Sequence, residues 1–487
     1  MPNTNLIVTP DEIRRAEAAA NADGLSYAAM MEAAGRGCAA FLLRQYPEET
    51  QFAVLVGKGK NGGDGFVIAR ILAEAGRRVT VIRAFDCPSD PLSESMREKL
   101  PAGVRVIPSP APDALFGAGV IVDAVFGIGF AGEVPAKVLA LLERANAMDA
   151  ARVAIDLPSG FVFRADHTLT MLCPKPQHVM KPLCGCCGEV HVIDIGFPPP
   201  VPAQPTCTLL PETAFAALPA RPFDANKGTF GNALIVAGSY RMPGAAVIAA
   251  TGCLHAGAGL TMLAFPDKAY PAVTAHLTEA VLLPLPTDGD GGLHETAIPH
   301  LQKALQKASA LVIGPGLGTG DGAAKALRFL LEAASCPLVL DADGINLFAA
   351  HKLKANGEKP WIFTPHPGEM ARLTGKTAAE INADREGTAR AFAKQTGVTL
   401  LLKGANTLVA SPDGRLYVNP TGTPAMARGG SGDLLAGVIG ALLAQGTEPF
   451  AAACLGAYFH GLAGNTAEAR FGPYAATVSR IADALFQ

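Results

Sequence analysis

The chain has 487 residues, too many for one ordinary hydrophobic core, so length alone predicts two or three domains. With 40 Lys and Arg against 43 Asp and Glu, the formal charge is −3, which removes the electrostatic case for a nucleic-acid partner and points to small molecules. Hydrophobic residues make up 49% with only 6% aromatic, and 53 glycines are spread through the chain, a composition suited to α/β packing with many tight turns.

The opening "MPNTNLIVTPDEIRRAEAAA" has no apolar run of the export-signal kind; Thr9 reads as a helix N-cap, Pro10 as its first turn and Glu12 as the other half of a capping box. A cytoplasmic location is the resulting expectation, and without export the 10 cysteines imply no disulfides. From residue 50 to about 200, the apolar runs "FAVLV", "VTVIRAF", "GVIVDAVF", "RVAIDL" and "EVHVIDIGF" alternate with helical patterns, the rhythm of a mostly parallel sheet with crossover helices.

Within that series, "GKGKNGGDGFVIAR" follows an apolar strand and opens a helix. Gly57, Gly59 and Gly62 fit G-x-G-x-x-G, a turn whose backbone amides accept phosphate, and Asp86 ends the next strand where a ribose-binding acid belongs. The cluster Asn61, Gly62, Gly63, Asp64 and Gly65 is more polar than a phosphate turn needs. Asp123 in "VDAVFGIGFAGEVP", with Asp156 and Ser159 in "AIDLPSG", lie at later strand ends facing the same crevice. Oxygen donors of this kind suit a hard, weakly held cation, although turn and cap residues at strand ends have a similar look.

These segments, with "MMEAAGRG", "PKPQH" and "GEVHVIDIGFP", resemble in order the NAD(P)H-hydrate epimerase family, the YjeF N-terminal-type domain. The resemblance implies a Rossmann-like three-layer domain that treats a hydrated nicotinamide dinucleotide as substrate. It implies K⁺ held by Asn61, Asp123 and Ser159. It implies substrate contacts from Lys60, Asn61, Gly62, Gly63, Asp64, Gly127, Ile128, Gly129, Phe130, Ala131, Gly132 and Glu133, and Asp156 as acid/base. Two features depart from the family pattern: Lys60 stands where a second Asn is usual, and the loop after "DLPSG" is short.

The segment "CPKPQHVMKPLCGCCGEVH" gathers Cys173, His178, Cys184, Cys186, Cys187 and His191, but C-x-C-C lacks the paired C-x-x-C knuckles of structural zinc sites, so ordinary reduced thiols are expected. Pro198, Pro199, Pro200, Pro202 and Pro205 then disfavour regular structure. The expected division is an epimerase-like domain over 1–205, a Pro-rich linker over 206–223 and a second α/β domain over 224–487. The apolar stretch after "PGAA" is broken by His255, Gly257 and Gly259, so it reads as a buried helix and a strand and not a membrane span.

The second half ends in "ARGGSGDLLAGVIGALLAQG". Gly429, Gly430 and Gly432 let backbone amides approach a transferring phosphate at a helix start, and Asp433 on the first turn is placed to take a proton from an attacking hydroxyl. No P-loop motif occurs. "TPHPGEMARLTG" offers His366 and Glu369 on a Pro-stiffened turn, and "LLLKGANTLVA" reads as two strands joined by a polar turn. "DADGIN" offers Asp341 and Asp343 as metal-organising carboxylates, one of them expected only to cap the next helix.

With "KGTFGNALIVAGS", "PGAA" and "GPGLG", these motifs resemble the ADP-dependent NAD(P)H-hydrate dehydratase family from about residue 224 onward, with Asn226 where His is usual. The resemblance implies a ribokinase-like α/β fold, Mg²⁺, and ADP as phosphoryl donor. Ala245, Gly318, His366 and Asp433 would meet the hydrated dinucleotide, and Lys403, Gly404, Ala405, Asn406, Thr407 and Gly432 the nucleotide, with Asp433 as catalyst. The expected substrates are NADHX and NADPHX, with no nucleic acid and no membrane, and a homo-oligomer is expected. The competing reading is a ribokinase-like small-molecule kinase, which would release a stable phosphorylated product and leaves the first domain unexplained unless that domain is a non-catalytic dinucleotide-binding module.

Overall fold

The computed structural model describes residues 5–487 apart from 88, 109, 131, 181–182 and 201–204. Its chain folds as two compact units, Asn5–Pro205 and Thr206–Gln487. The first unit contains strands β1 (Asn5–Ile7), β2 (Gln51–Val56), β3 (Arg78–Arg83), β4 (Arg105–Ile107), β5 (Val120–Ala124), β6 (Ala151–Ile155), β7 (His167–Met171) and β8 (Glu189–Ile193). Seven of these form one sheet in the order β4-β3-β2-β5-β6-β7-β8, and every ladder in it is parallel.

Alternation along β2 shows why this sheet lies inside three layers. Phe52, Val54 and Val56 join a core with Met31, Phe41, Phe66 and Val67 from the helices Tyr27–Gln45 and Lys60–Glu74. Ala53 and Leu55 face the other way, onto Val138, Leu141 and Leu142 of the helix Ala136–Asn146. A parallel sheet covered on both faces reads as unbroken apolar runs because neither face meets water. At the N-terminus the expected cap is present: Thr9 caps the helix Pro10–Ala22 in a full capping box with Glu12.

The second unit contains β9 (Thr206–Thr208), β10 (Asn232–Val236), β11 (Leu260–Pro266), β12 (Val281–Leu285), β13 (Ala310–Ile313), β14 (Leu338–Leu340), β15 (Trp361–Phe363), β16 (Thr399–Leu402), β17 (Leu408–Ala410) and β18 (Leu416–Val418). They run in the order β9-β18-β17-β16-β15-β14-β13-β10-β11-β12. The ladders β16·β17 and β17·β18 are antiparallel, which makes "LLLKGANTLVA" a hairpin with its polar turn at the sheet end. The helices Pro243–His255, Ser431–Ala444 and Pro449–Phe471 share one core with Ala233, Ile235 and Val312. Among the described residues no helix is long and apolar enough to cross a membrane.

The segment 206–223 is not the structureless linker that its prolines suggest. Thr206–Thr208 pairs in parallel with β18, and Pro211 starts the helix Pro211–Ala216. Leu209 and Ala214 are fully buried. Proline at the first helical position costs no hydrogen bond, so the same residue that suggests a break here begins an element.

Candidate active sites

In the first unit a cleft of about 670 Å³ lies at the carboxyl ends of the strands, the usual ligand position in an open parallel sheet. Lys60, Asn61, Asp64, Gly127, Ile128, Gly129, Phe130, Glu133 and Asp156 all line it. Gly62 and Gly63 are buried in the first turn of the helix Lys60–Glu74 and do not. Neither does Gly132, and Ala131 lies outside the described residues. Asp86 is turned elsewhere, to Lys137 at 3.4 Å. The glycine turn is forced by packing at Gly57, where a Cβ would lie 1.9 Å from the Val125 carbonyl oxygen; at Gly59 a Cβ would meet nothing within 4 Å.

Asp156 sits just past β6 with φ of 66°, a strained value for a residue with a side chain. Its surroundings hold it there. Its amide donates to the Leu169 carbonyl at 2.8 Å, its carbonyl accepts from His178 Nε2 at 2.6 Å, and its Oδ2 accepts from the Ile128 amide at 2.8 Å. Lys175, 1% exposed, donates from Nζ to Asp156 Oδ1 at 2.9 Å, to Thr170 Oγ1 at 2.6 Å and to the Met171 carbonyl at 3.1 Å. Burial alone would raise the Asp156 pKa, but the Lys175 charge and hydrogen bond outweigh it and hold the carboxyl below its ordinary value. His178 Nδ1 accepts from the Lys175 amide at 2.9 Å, which leaves the proton on Nε2; burial and the Lys175 charge lower its pKa to about 4.

Lys175 and His178 come from "PKPQH", a segment that marks the family but in which no single residue announces a role. Pro176 starts its helical turn, and the contacts of Lys175 and His178 with Asp156 lie 19 and 22 residues away in sequence. Glu17 also enters the cleft unannounced. Burial pushes the carboxyl of Asp64 well up, aided by the charges of Asp156 and Glu17, and burial raises Glu17 too. The cleft thus carries one carboxylate held ionised beside two pushed toward the protonated form. Lys60 rests over the Tyr27 ring at 4.2 Å.

Asp123 and Ser159 are fully buried and do not line the cleft. Asp123 Oδ1 accepts from Ser159 Oγ at 2.6 Å and from the Val125 amide at 3.1 Å, and Oδ2 accepts from the Ser159 amide at 2.7 Å. Burial raises its pKa to about 6 against those hydrogen bonds. Asn61 donates from Nδ2 to the Ile155 carbonyl at 3.2 Å, while its Oδ1 is buried without a hydrogen-bond partner. The buried, partnerless oxygen of Asn61 and the oxygens of Asp123 and Ser159 are donors of the type that suits a weakly charged, oxygen-loving cation.

In the second unit, the helix Ser431–Ala444 starts after Gly430, which is in the left-handed region at φ 93°. A Cβ on Gly432 would lie 3.2 Å from Lys403 Nζ, so glycine lets that ammonium reach the helix start. Lys403 donates to Asp341 Oδ1 at 2.7 Å, and its Nζ is 3.9 Å from Glu369 Oε2. Burial would lower the Lys403 pKa, but Asp341, Glu369 and Asp433 together raise it. Burial, and then the Asp341 charge, lift Asp433 to about 7. Asp341 Oδ2 is buried with no partner.

Neither Asp341 nor Asp343 caps the helix Ala342–Ala350, contrary to expectation. Asp341 occupies the N-cap position without a capping hydrogen bond because Thr364 and Lys403 occupy its Oδ1. Asp343 Oδ2 accepts from the Gly318 amide at 2.8 Å. Gly316 next to it leaves room for Ala245, whose Cβ would be 2.7 Å from an added Cβ there. His366 Nδ1 caps its helix by accepting from the Gly368 and Glu369 amides at 2.9 and 3.3 Å. That network puts the ring proton on Nε2, 3.4 Å from Glu369 Oε1, on a side chain 51% exposed.

The turn after β16 is braced from behind. Arg385 donates to the Leu402 carbonyl at 3.1 Å and the Lys403 carbonyl at 3.3 Å, and also to the Ala405 carbonyl. Thr407 Oγ1 closes the turn on the Gly404 carbonyl at 3.0 Å, and Asn406 has φ of 53°. His460, absent from the sequence reading, lies 3.4 Å from Ser431 Oγ, and burial first, then the Lys403 charge, lowers its pKa to about 4.

The family described as NAD(P)H-hydrate dehydratase matches residues 233–486, and YjeF-related protein N-terminus matches residues 27–177. The chain is similar to the bifunctional NAD(P)H-hydrate repair enzyme Nnr of Moorella thermoacetica, 37% identical over 455 residues that cover 89% of this chain and 86% of that one. It is similar to the Nnr of Escherichia coli, 34% identical over 481 residues, 95% of this chain and 90% of the relative. Among solved structures it is similar to a ribokinase-like superfamily protein of Enterococcus faecalis, 26% identical with a TM-score of 0.51, over 57% of this chain and 94% of that one. Both halves of the relatives are thus spanned in one continuous chain, which belongs to the family of bifunctional NAD(P)H-hydrate repair enzymes.

Proposed function

We propose that the chain repairs hydrated nicotinamide dinucleotides in two steps, the first unit epimerising the R and S forms of NADHX and NADPHX and the second dehydrating the S form at the expense of ADP. A stereospecific dehydratase alone restores only one epimer, so an epimerase on the same chain opens the whole pool to it. The observation that carries the reading is the Asp433 carboxyl, lifted to about 7 on a glycine-opened helix start beside the Lys403–Asp341 pair. A carboxyl with that pKa suits proton removal near neutral pH.

In the dehydratase step Asp433 takes the proton of the substrate hydroxyl as its oxygen attacks the β-phosphorus of ADP, and AMP leaves. The ring-nitrogen lone pair then expels phosphate from carbon to leave an iminium ion, and loss of a proton from the adjacent ring carbon to the released phosphate forms the ring C=C bond and regenerates the reduced ring. The amides of Gly429 and Gly430, just before the helix, and of Gly432 in its first turn would face the transferring phosphoryl oxygens, and Lys403, Gly404, Ala405, Asn406 and Thr407 hold the nucleotide. Ala245, Gly318 and His366 orient the hydrated dinucleotide. Asp341, with its partnerless Oδ2, and Asp343 would hold Mg²⁺, which neutralises diphosphate charge when bound.

In the epimerase step Asp156 is the base, kept ionised by Lys175, and Asp64 is the carboxyl best suited to give a proton back. Inverting a carbinolamine carbon breaks and re-forms its bond to the ring nitrogen. As the hydroxyl proton passes to one carboxylate the ring opens to an aldehyde and the nitrogen takes a proton from the other carboxyl. Closure on the opposite face returns both, so paired carboxyls with opposed pKa values supply both directions. Asn61, Asp123 and Ser159 would hold K⁺, which offsets pyrophosphate charge. We place the reaction in the cytoplasm, where the free state of every described cysteine is at home.

The test is stoichiometry. With S-form NADHX, Mg²⁺ and ADP, one AMP and one phosphate form per NADH regenerated, and Asp433→Asn forms none of them. A stable phosphorylated dinucleotide accumulating in place of NADH would reject the dehydratase assignment in favour of a kinase.

A further inference from the structure

On the sheet of the first unit, parallel pairing of β7 with β8 sets His167 opposite Glu189 and Leu169 opposite His191. Side chains two apart on a strand share a face, so Glu189 and His191 stand on the same side of the sheet as His167. His167 Nδ1 lies 3.1 Å from His191 Nε2. Glu189 Oε2 lies 3.5 Å from the first nitrogen and 3.7 Å from the second. We propose that His167, Glu189 and His191 form a binding site for a divalent transition metal of the zinc class.

The spacing supports it. Ligands at about 2.0–2.1 Å around a tetrahedral metal lie roughly 3.3–3.4 Å from one another, and the three separations here straddle that value. A plain imidazole–imidazole hydrogen bond accounts for the 3.1 Å contact alone. It does not account for one carboxylate oxygen drawn toward both of the nitrogens that already face each other, so the three donor atoms converge on a point instead of forming a chain. Two imidazoles and a carboxylate suit Zn²⁺, Co²⁺ or Ni²⁺ and leave a fourth position for water.

The surroundings are those of a built site. Both imidazoles are 15% exposed, whereas Glu189 is 42% exposed and marks the way in. The Phe41 ring packs on His191 at 4.6 Å and on His167 at 5.5 Å, with Tyr46 at 6.4 Å from His167. The site is separate from the epimerase cleft, which none of the three residues lines. His167 begins β7, whereas Asp156 follows the far end of β6. Among the described residues no cysteine joins the group: in "LCGCC" the Cys186 thiol meets the Phe161 carbonyl at 3.1 Å and the Cys187 thiol the Gln177 and Leu183 carbonyls at 3.9 Å, while the side chain of Cys184 lies outside the described residues. A metal here would clamp β7 to β8, and β7 supplies the Thr170 and Met171 oxygens that hold Lys175.

The experiment uses the full chain without an affinity tag, stripped with chelator. It is titrated with Zn²⁺ by calorimetry and with Co²⁺ by visible absorption. The expected result is one saturable site, weakened more than tenfold in His191→Gln and in Glu189→Gln and kept in Cys186→Ser, with Zn²⁺ raising Tm of the parent chain but not of the histidine variant. The Co²⁺ form should show tetrahedral ligand-field bands and no thiolate charge-transfer band, a readout that needs no variant. No saturable site, a thiolate band, or unchanged affinity in both His191→Gln and Glu189→Gln overturns the proposal and leaves a hydrogen-bonded histidine pair.

Discussion

Lys175 and Asp433 owe their properties to opposite consequences of burial. Lys175 is buried against Asp156, and removing one member of such a pair leaves an uncompensated charge that costs about 3–5 kcal/mol. Lys175→Met is therefore expected to abolish epimerisation and to lower the urea midpoint, with the second unit's dehydration of S-form substrate retained; a variant epimerising at the parent rate would refute the role. Asp433 has the reverse sign. Its folded pKa of about 7 lies above the unfolded 3.8, so the native state binds the extra proton between those values and loses stability as pH rises through the window. Asp433→Asn should raise Tm more at pH 8 than at pH 5, while kcat/KM for dehydration by the parent chain rises with pH through an ascending limb near 7. Equal Tm shifts at both pH values would mean that burial does not raise this carboxyl.

The elements divide into parts the sequence announces and parts it hides. The glycine turn after β2 is legible as a phosphate-type turn, yet its first two glycines differ: a Cβ on Gly57 would clash with backbone, and one on Gly59 faces open space. Gly57→Ala should cost stability measurably in a denaturant titration, whereas Gly59→Ala should stay within about 0.5 kcal/mol and weaken dinucleotide binding instead. The hairpin of β16 and β17 was also legible, but its brace was not. Arg385 reaches three carbonyls of the turn from a helix that follows a different loop. Arg385→Met is expected to raise KM for ADP several-fold with a smaller change in kcat; an unchanged KM would show that the turn holds itself. Apolar runs and caps announce themselves locally, as at Thr9 and Glu12. Lys175 and the pairing of His167 with His191 depend on strand order, and His460 on the packing of one helix against the start of another, neither of which a local pattern encodes. The segment 206–223 is hidden for another reason: the prolines from Pro198 to Pro205 suggest a break that does not continue past them, where a strand and a helix begin.

For the whole molecule, the central claim is that two different carboxylates on one chain do two different jobs on one damaged metabolite. Asp156 is held ionised by a buried lysine, and Asp433 is lifted by burial to about 7 beside another. If both work, either epimer is accessible, and each carboxylate has its own signature in a single progress curve. The most direct measurement mixes the chain with Mg²⁺, K⁺, ADP and racemic NADHX and follows the return of reduced-nicotinamide absorbance. The predicted result is full recovery faster than spontaneous epimerisation, a stall near half for Asp156→Asn, and no recovery for Asp433→Asn. Full recovery at the parent rate by Asp156→Asn, or a stall near half by the parent chain itself, would contradict it.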